Sequence, residues 1–379
     1  LLLILVQLST GFSLGIIEPI LSLYVRSRGL TIVEVGLLGT ASMLGWFVFE
    51  PIMGVVADNV RKRTMMAAAI IGTTAVYALY PLASTLAHFV LLEFTRTSVL
   101  SAYSIPVKAL MAEFLPSQNR GRVYGRVMTV VSLGGMAAPL IGGYISQASG
   151  YLVPFYASAA VGLVGLAAVL SMRHEERPLG SKAALREWKS VLTAPVLSVF
   201  MVRGIYFVNT GFRSSFLPIY LNESPRFNAS ESQIGVFFTL VRLAGALSRP
   251  TIGVLCDTLG NRAVIAGSLA LLGASYGSLP FLGGVWVMYA AAVVQGASMA
   301  GADMSMMLRI ISVMPAERTG LVMGLYSEAE NVGGLVSTPT LGYIYQSMGA
   351  GFSMSSVAVV ICLNAFLALL VIRDKARAA

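Results

Sequence analysis

The sequence predicts an all-α integral membrane protein, with twelve transmembrane helices arranged as two pseudo-symmetric six-helix bundles. Three observations lead there. First, 56% of the 379 residues are hydrophobic and only 11% are charged, against roughly 25% charged in a soluble domain. Second, the apolar residues gather into runs of about 20, the length a helix needs to cross a bilayer. Third, the two halves of the chain repeat one another at a nearly constant offset.

The expected spans lie near 1–25, 31–57, 64–86, 88–113, 122–145, 152–172, 198–221, 232–256, 263–282, 285–314, 320–345 and 352–372. They define an N-terminal bundle over 1–173, a linker over 174–197 and a C-terminal bundle over 198–379. In the linker, "SKAALREWKSVLTAP" reads as a short amphipathic helix. Ser181 caps it, and Trp188, Arg186 and Lys189 lie at the membrane surface. The chain opens at Leu1, already inside an apolar run and without Met. Further residues are expected before it, and the first run reads as a full span rather than a signal peptide.

The net charge of +9 is unevenly placed. One side of the expected topology carries Arg61, Lys62, Arg63, Arg120, Arg122, Arg126, Arg173, Arg177, Lys182, Arg186, Lys189, Arg262, Arg318, Arg373, Lys375 and Arg377. The other carries Arg26, Arg28 and Arg226. The positive-inside rule then puts both termini in the cytoplasm, in the plasma or inner membrane of a cell. The basic balance faces anionic lipid and is not a nucleic-acid footprint. Cys256 and Cys362 form no disulfide framework and read as small packing residues.

The repeat is visible in three blocks. "PIMGVVADNVRKR" from Pro51 aligns with "PTIGVLCDTLGNR" from Pro250, placing Gly54 on Gly253 and Asp58 on Asp257 (250 − 51 = 199). "PSQNRGRVYG" from Pro116 aligns with "PAERTGLVMG" from Pro315 at the same offset. "GGMAAPLIGGY" from Gly134 aligns with "GGLVSTPTLGY" with one residue of slippage, Pro139 on Pro339. The copies keep one orientation, so the repeat is parallel, about an axis along the membrane normal.

Two of these blocks carry a family resemblance. Gly54, Asp58, Lys62 and Arg63, between the second and third spans, resemble motif A of the major facilitator superfamily. Gly134, Ala138, Pro139, Gly142 and Gly143, in the fifth span, resemble its antiporter motif C. The chain departs from the pattern at Asn59, usually basic, at Arg61, usually glycine, and at Ala138, where glycine is commoner. The resemblance implies the major facilitator fold and transport by alternating access. It assigns a gating role to Gly54, Asp58, Lys62, Arg63 and Asp257, and places Gly134, Pro139, Gly142 and Gly143 at the interface between the halves. The residues agree with that reading. A carboxylate ending a span can hold an Arg or a helix N-terminus of another span, and small residues let helices approach closely.

A charge facing hydrocarbon costs at least ~2.5–3.5 kcal/mol, so ionisable residues inside spans mark a wet cavity or another charge. They fall in the first, second, fourth, seventh, eighth, tenth and eleventh spans. Glu18, Glu50, Glu93, Arg96, Lys108, Arg203, Arg213, Arg242, Arg249, Asp303, Arg309, Glu328 and Glu330 make up the set. The third, sixth, ninth and twelfth have none in their interiors. The resemblance implies the same division, with the first, fourth, seventh and tenth helices lining the cavity and the charge-free ones at the periphery. At ~1.5 Å of rise per residue, Glu18 lies roughly 10 Å and Arg96 roughly 12 Å inside the membrane. Glu93 and Arg96, one turn apart, form either a local ion pair or part of the cavity.

Candidate proton-coupling residues are therefore Glu18, then Glu50, Asp303 and Glu328. Candidate substrate contacts are Glu18, Arg96, Tyr206, Arg213, Phe216 and Asp303, because aromatics beside a buried cation suit an amphipathic organic ligand. Glu18 has a rival reading as the fixed partner of Arg96 or Arg213. The function expected is a proton-coupled antiporter exporting small amphipathic organic molecules. The alternative is a proton-coupled importer, or a transporter of lipids or organic anions. An enzyme is disfavoured, since the two histidines, His88 and His174, fall at opposite faces. There is no Walker loop in the sequence. Neither a cofactor nor a metal is expected, the partners are protons, a small-molecule substrate and membrane lipid, and the chain is expected to be a monomer.

If Glu18 carries the coupling proton, Glu18→Gln abolishes transport driven by a pH gradient and spares ligand binding. If Glu18 is a fixed counter-charge, the same variant melts at a lower temperature. Gradient-driven uptake, ligand binding and melting temperature on this one protein separate the two. Wild-type transport would remove Glu18 from the coupling path.

Overall fold

The structure is a computed structural model that describes residues 2–114, 134–172, 192–314 and 319–372. Within them, helices occupy each of the twelve expected stretches. The first half contains α1 (Leu2–Ile17), α2 (Leu21–Ser27), α3 (Ile32–Asn59), α4 (Lys62–Leu79), α5 (Leu86–Phe114), α6 (Ala138–Ser149) and α7 (Leu152–Leu170). The second contains α8 (Ala194–Ser215), α9 (Leu217–Glu223), α10 (Glu231–Leu259), α11 (Asn261–Ser278), α12 (Val285–Val313), α13 (Thr319–Met348) and α14 (Ala350–Val371). Seven stretches, Leu2–Ser27 among them, are long and apolar enough to cross a membrane on length and composition alone. The helices α5, α10, α11 and α13 are not in that group, because polar and small residues are spread among their apolar ones. The linker helix expected around Ser181 and Trp188 lies outside the described residues.

Local chemistry sets the helix ends. A capping box starts α3: Thr31 Oγ1 accepts from the Glu34 N–H, and Glu34 accepts from the Thr31 N–H at 2.7 Å. The first span is interrupted at Glu18–Ile20, where Pro19 has no N–H to continue the ladder. Its repeat equivalent, Pro218, follows the break between α8 and α9 at Phe216 (218 − 19 = 199). Gly260, joining α10 to α11, has φ +88°. That backbone favours glycine. The first copy has Arg61 there and turns instead with φ −58°, so the chain tolerates the departure by rebuilding the turn.

The chain divides into two compact units. One contains Leu1–Lys182 and Ala229–Thr239; the other contains Ala183–Asn228 and Leu240–Ala379. The first few turns of α10 thus belong with the first unit. In that unit α1 packs on α7, α3 on α5, and α4 on both α5 and α7. In the second, α8 packs on α13 and α14, and α11 on α12 and α14. The terminal helix of each unit is strapped in the same way. Arg63 Nε donates to the Val169 carbonyl at 3.1 Å and its Nη2 to that of Leu170. Arg262 donates to the Leu369 carbonyl, and both members of that contact are shifted by 199 (262 − 63 and 369 − 170). A guanidinium here satisfies carbonyls left over at a helix C-terminus and complements the helix dipole.

Glycines set the closest helix approaches. Gly142 of α6 abuts the Ile16 carbonyl of α1, and Gly143 abuts the backbone of Glu231 at the start of α10. Gly235 of α10 in turn faces the Pro139 carbonyl, and Thr239 Oγ1 donates to the Met136 carbonyl at 3.1 Å. This seam is why the start of α10 belongs to the first unit.

A Cβ on Gly142 would overlap the Ile16 carbonyl oxygen, whereas one on Gly267 would meet nothing within 4 Å. Gly142→Ala is therefore expected to cost about 1–3 kcal/mol. Gly267→Ala, in the interior of α11, is expected to gain about 0.5–1 kcal/mol. Thermal unfolding of the two purified variants in detergent checks the opposite signs, and equal melting temperatures would refute the packing account.

Candidate functional site

The second unit gathers ionisable residues from three helices around one guanidinium. Arg203 of α8 donates through Nη1 to Asp303 of α12, and through Nε and Nη2 to Oε1 of Glu330 of α13. Three rings surround it. Its Cζ lies 4.9 Å from the Tyr326 ring centroid and 5.5 Å from each of those of Tyr206 and Phe207, inside the ~6 Å reach of a cation–π contact. Helical spacing builds this arrangement. Tyr206 and Phe207 stand three and four residues after Arg203, and Tyr326 stands four before Glu330, so each set shares a face. The side chain of Arg203 is 11% exposed and that of Glu330 21%, while Asp303 is 47% exposed. The ion-pair cluster thus has a buried side and an open side, and the open side is a carboxylate.

The first unit holds charge differently. Glu93 and Arg96 of α5 pair across one turn, with Arg96 Nε donating to Glu93 Oε2 at 2.9 Å and Nη2 to Oε1. Tyr80 also donates its hydroxyl to Glu93, and Glu93 is 4% exposed. Of the two readings left open for this pair, the structure shows the local ion pair. The repeat equivalent of Arg96 is Gln295 (295 − 96 = 199), a neutral amide, buried and donating to Ser275 Oγ at 3.4 Å.

The other expected site residues fall as follows. Glu18 is half-buried at the break between α1 and α2, and Glu50 is half-buried in α3 just before Pro51. Tyr206 is buried against Arg203. Arg213 is half-buried ten residues further along α8, roughly 15 Å from Arg203. Phe216 is fully buried at the break after α8, against the rings of Phe212 and Tyr345, so in this conformation it packs and presents no surface to a ligand. Glu328 accepts from Asn331 Nδ2 at 3.4 Å. Lys62 opens α4 beside Arg63, and Gly54 lies 4.0 Å from the Ile105 side chain, measured to an added Cβ. Gly134 packs on Leu8. Asp257 is exposed near the end of α10. Asp58 falls in the last turn of α3, and its side chain lies outside the described residues.

The structure joins Asp303 and Tyr206, which the sequence singles out, with Arg203, Tyr326 and Glu330, which it does not. Glu18, Glu50 and Arg96 belong to the first unit. Outside the spans, Tyr151 donates to Glu231 at 2.7 Å. Burial, reinforced by that carboxylate, raises the Tyr151 phenol above its ordinary range and keeps it a donor. Among the described residues, no group of three or more His, Cys, Asp and Glu side chains could hold a metal ion.

The sequence profile of the Major Facilitator Superfamily matches residues 3–225 and, again, 199–379. The chain belongs to that superfamily. An MFS-type transporter of Methanocaldococcus jannaschii, MJ1560, is 24% identical over 366 residues, covering 90% of this chain and 89% of the relative. The multidrug resistance protein MdtG of Dickeya zeae is 26% identical over 384 residues, covering 97% and 92%. Two solved structures share the fold. The nucleoside transporter NupG, solved as a point mutant, superposes with TM-score 0.76 at 13% identity, covering 98% of this chain and 97% of that one. A bacterial homologue of the human lysosomal transporter Spinster superposes with TM-score 0.79 at 16% identity, covering 100% and 98%. The protein is thus a multi-pass membrane transporter.

Removing one member of a buried ion pair leaves the other charge uncompensated. Glu93→Gln is accordingly expected to cost about 3 kcal/mol. Glu93→Gln with Arg96→Met, which removes both charges, recovers much of that loss. Melting temperatures of the single and double variants test this, and a double variant no more stable than the single one would contradict it.

Proposed function

We propose that the protein is a proton-coupled antiporter that exports small amphipathic organic molecules by alternating access. On this reading it works as a monomer in the plasma or inner membrane, with both termini in the cytoplasm. The observation that carries the reading is the sharing of Arg203 between Asp303 and Glu330. Within this cluster one guanidinium meets two carboxylates. When both are ionised the cluster has one negative charge in excess, and a proton on either leaves a neutral one-to-one pair. A proton and a cationic or polar substrate group can therefore satisfy the same deficit in turn, which is the exchange an antiporter needs. Asp303 is the more exposed carboxylate and the one a proton or substrate reaches first. The side chains packed against the guanidinium are the rings of Tyr206 and Phe207 on α8 and of Tyr326 on α13.

The name multidrug resistance protein, which several relatives bear, supports export of organic molecules. Glu18, at the break in the first span, remains the candidate for a second protonation site in the other unit.

The test is transport by purified protein in proteoliposomes under an imposed pH gradient of either sign, with fluorescent amphipathic substrates. Asp303→Asn, which keeps the shape and cannot release a proton, should lose gradient-driven accumulation by tenfold or more. It should retain exchange of substrate down its own gradient. Accumulation that ignores the pH gradient in the wild type would sink proton coupling, and undiminished accumulation by Asp303→Asn would remove Asp303 from it.

A further inference from the structure

The surroundings of Arg203 have a chemistry of their own. A guanidinium is flat, with N–H donors in its plane and weakly hydrated faces. Around Arg203 the carboxylates of Asp303 and Glu330 meet the N–H edges. The rings of Tyr206, Phe207 and Tyr326 stand 4.9–5.5 Å from the central carbon. Carboxylates at the edges and aromatic rings close by are what a planar organic cation requires of a receptor. An ammonium, compact and strongly hydrated, would use the rings less well.

We propose that this cage is a binding site for planar organic monocations of the guanidinium or amidinium class, and that in this conformation the chain's own Arg203 occupies it. Arg203 stands on a flexible stem on α8, whereas both carboxylates are on other helices, α12 and α13. Departure of its side chain therefore leaves the two acceptors and the Tyr326 ring in place. The half-exposed Asp303 gives an incoming cation a first contact before Arg203 has moved. Arg203 is thus an internal competitor. It occupies the two carboxylates when no ligand is present, and it weakens every cation that must displace it. Selectivity follows from the same geometry, since a neutral molecule of identical shape pays to desolvate Asp303 and Glu330 and returns no charge.

This inference names the ligand class of the site used in the proton-exchange reading, but its test involves no proton gradient, so either can fail while the other stands. The probe is benzamidinium, with neutral, isosteric benzamide as control, added to purified protein at constant ionic strength. Binding is read as the saturable rise in melting temperature. Arg203→Ala is expected to bind benzamidinium at least tenfold more tightly than the wild type, to ignore benzamide, and to lose the response when Asp303→Asn is added. A folded Arg203→Ala protein with no saturable response, or with equal responses to both compounds, overturns the proposal. If Arg203→Ala does not fold, Phe207→Trp in the Arg203 background reports from the cage wall by fluorescence. A saturable change with benzamidinium that Asp303→Asn abolishes upholds the proposal. No change, or one that survives Asp303→Asn, overturns it.

Discussion

An ionised side chain within a membrane span must be met by an opposite charge, a hydrogen-bonding group or water, and much of this structure follows from how that demand is answered. The ion pair between Arg203 and its two carboxylates answers it across three helices of the second unit. It ties α8, α12 and α13 together at one point. The charge also explains the sequence of those helices. Tyr206, Phe207 and Tyr326 are placed where their rings, not lipid, face the guanidinium. An apolar substitute could pack there as well, since buried ion pairs add little net stability.

The two units solve the same problem unequally. Their backbones agree at the offset of 199: breaks at Pro19 and Pro218, prolines within helices at Pro51 and Pro250, guanidinium straps from Arg63 and Arg262. Their charges do not agree. The first unit closes Glu93 and Arg96 on one another within a single turn and seals them with Tyr80. The second places a neutral Gln295 at the position of Arg96 and puts its charges elsewhere, with Asp303 half in the open. A duplicated scaffold has kept the features that shape helices and diverged in where its buried charges lie.

Helix proximity is the second requirement, and glycine meets it. At Gly142 and Gly143 the α6 backbone touches that of α1 and the start of α10 so closely that no side chain fits between. Without a hydrophobic driving force between helices in lipid, such contacts supply the packing that holds them together. The motif-C resemblance placed these glycines at the interface between the halves; within the first unit Gly142 meets α1 and Gly143 meets the start of α10. The motif-A residues divide. Arg63 straps a helix end and so has a structural task in this conformation, which the gating role read from the sequence did not include.

The sequence alone determined the membrane class, the helical stretches, the repeat and the set of ionisable residues within them. The residue at the first break, Pro19, is likewise written in the chain. These are one-dimensional properties: hydrophobic transfer is summed along a run, and a missing N–H is covalent. Which charges meet was decided only by the tertiary structure. Glu93 and Arg96 were legible as a pair because they are one turn apart. Arg203 lies 100 residues from Asp303 and 127 from Glu330, and nothing in local spacing chooses these partners over Arg213 or Glu328. The signal that was available, Tyr206 and Phe207 at three and four residues from Arg203, marks a face of α8 but not what packs against it. Phe216 likewise read as a ligand contact, yet the break in the helix turns it into the core. Partner choice depends on how helices are rotated and set against one another, and that is fixed by contacts summed over the whole bundle.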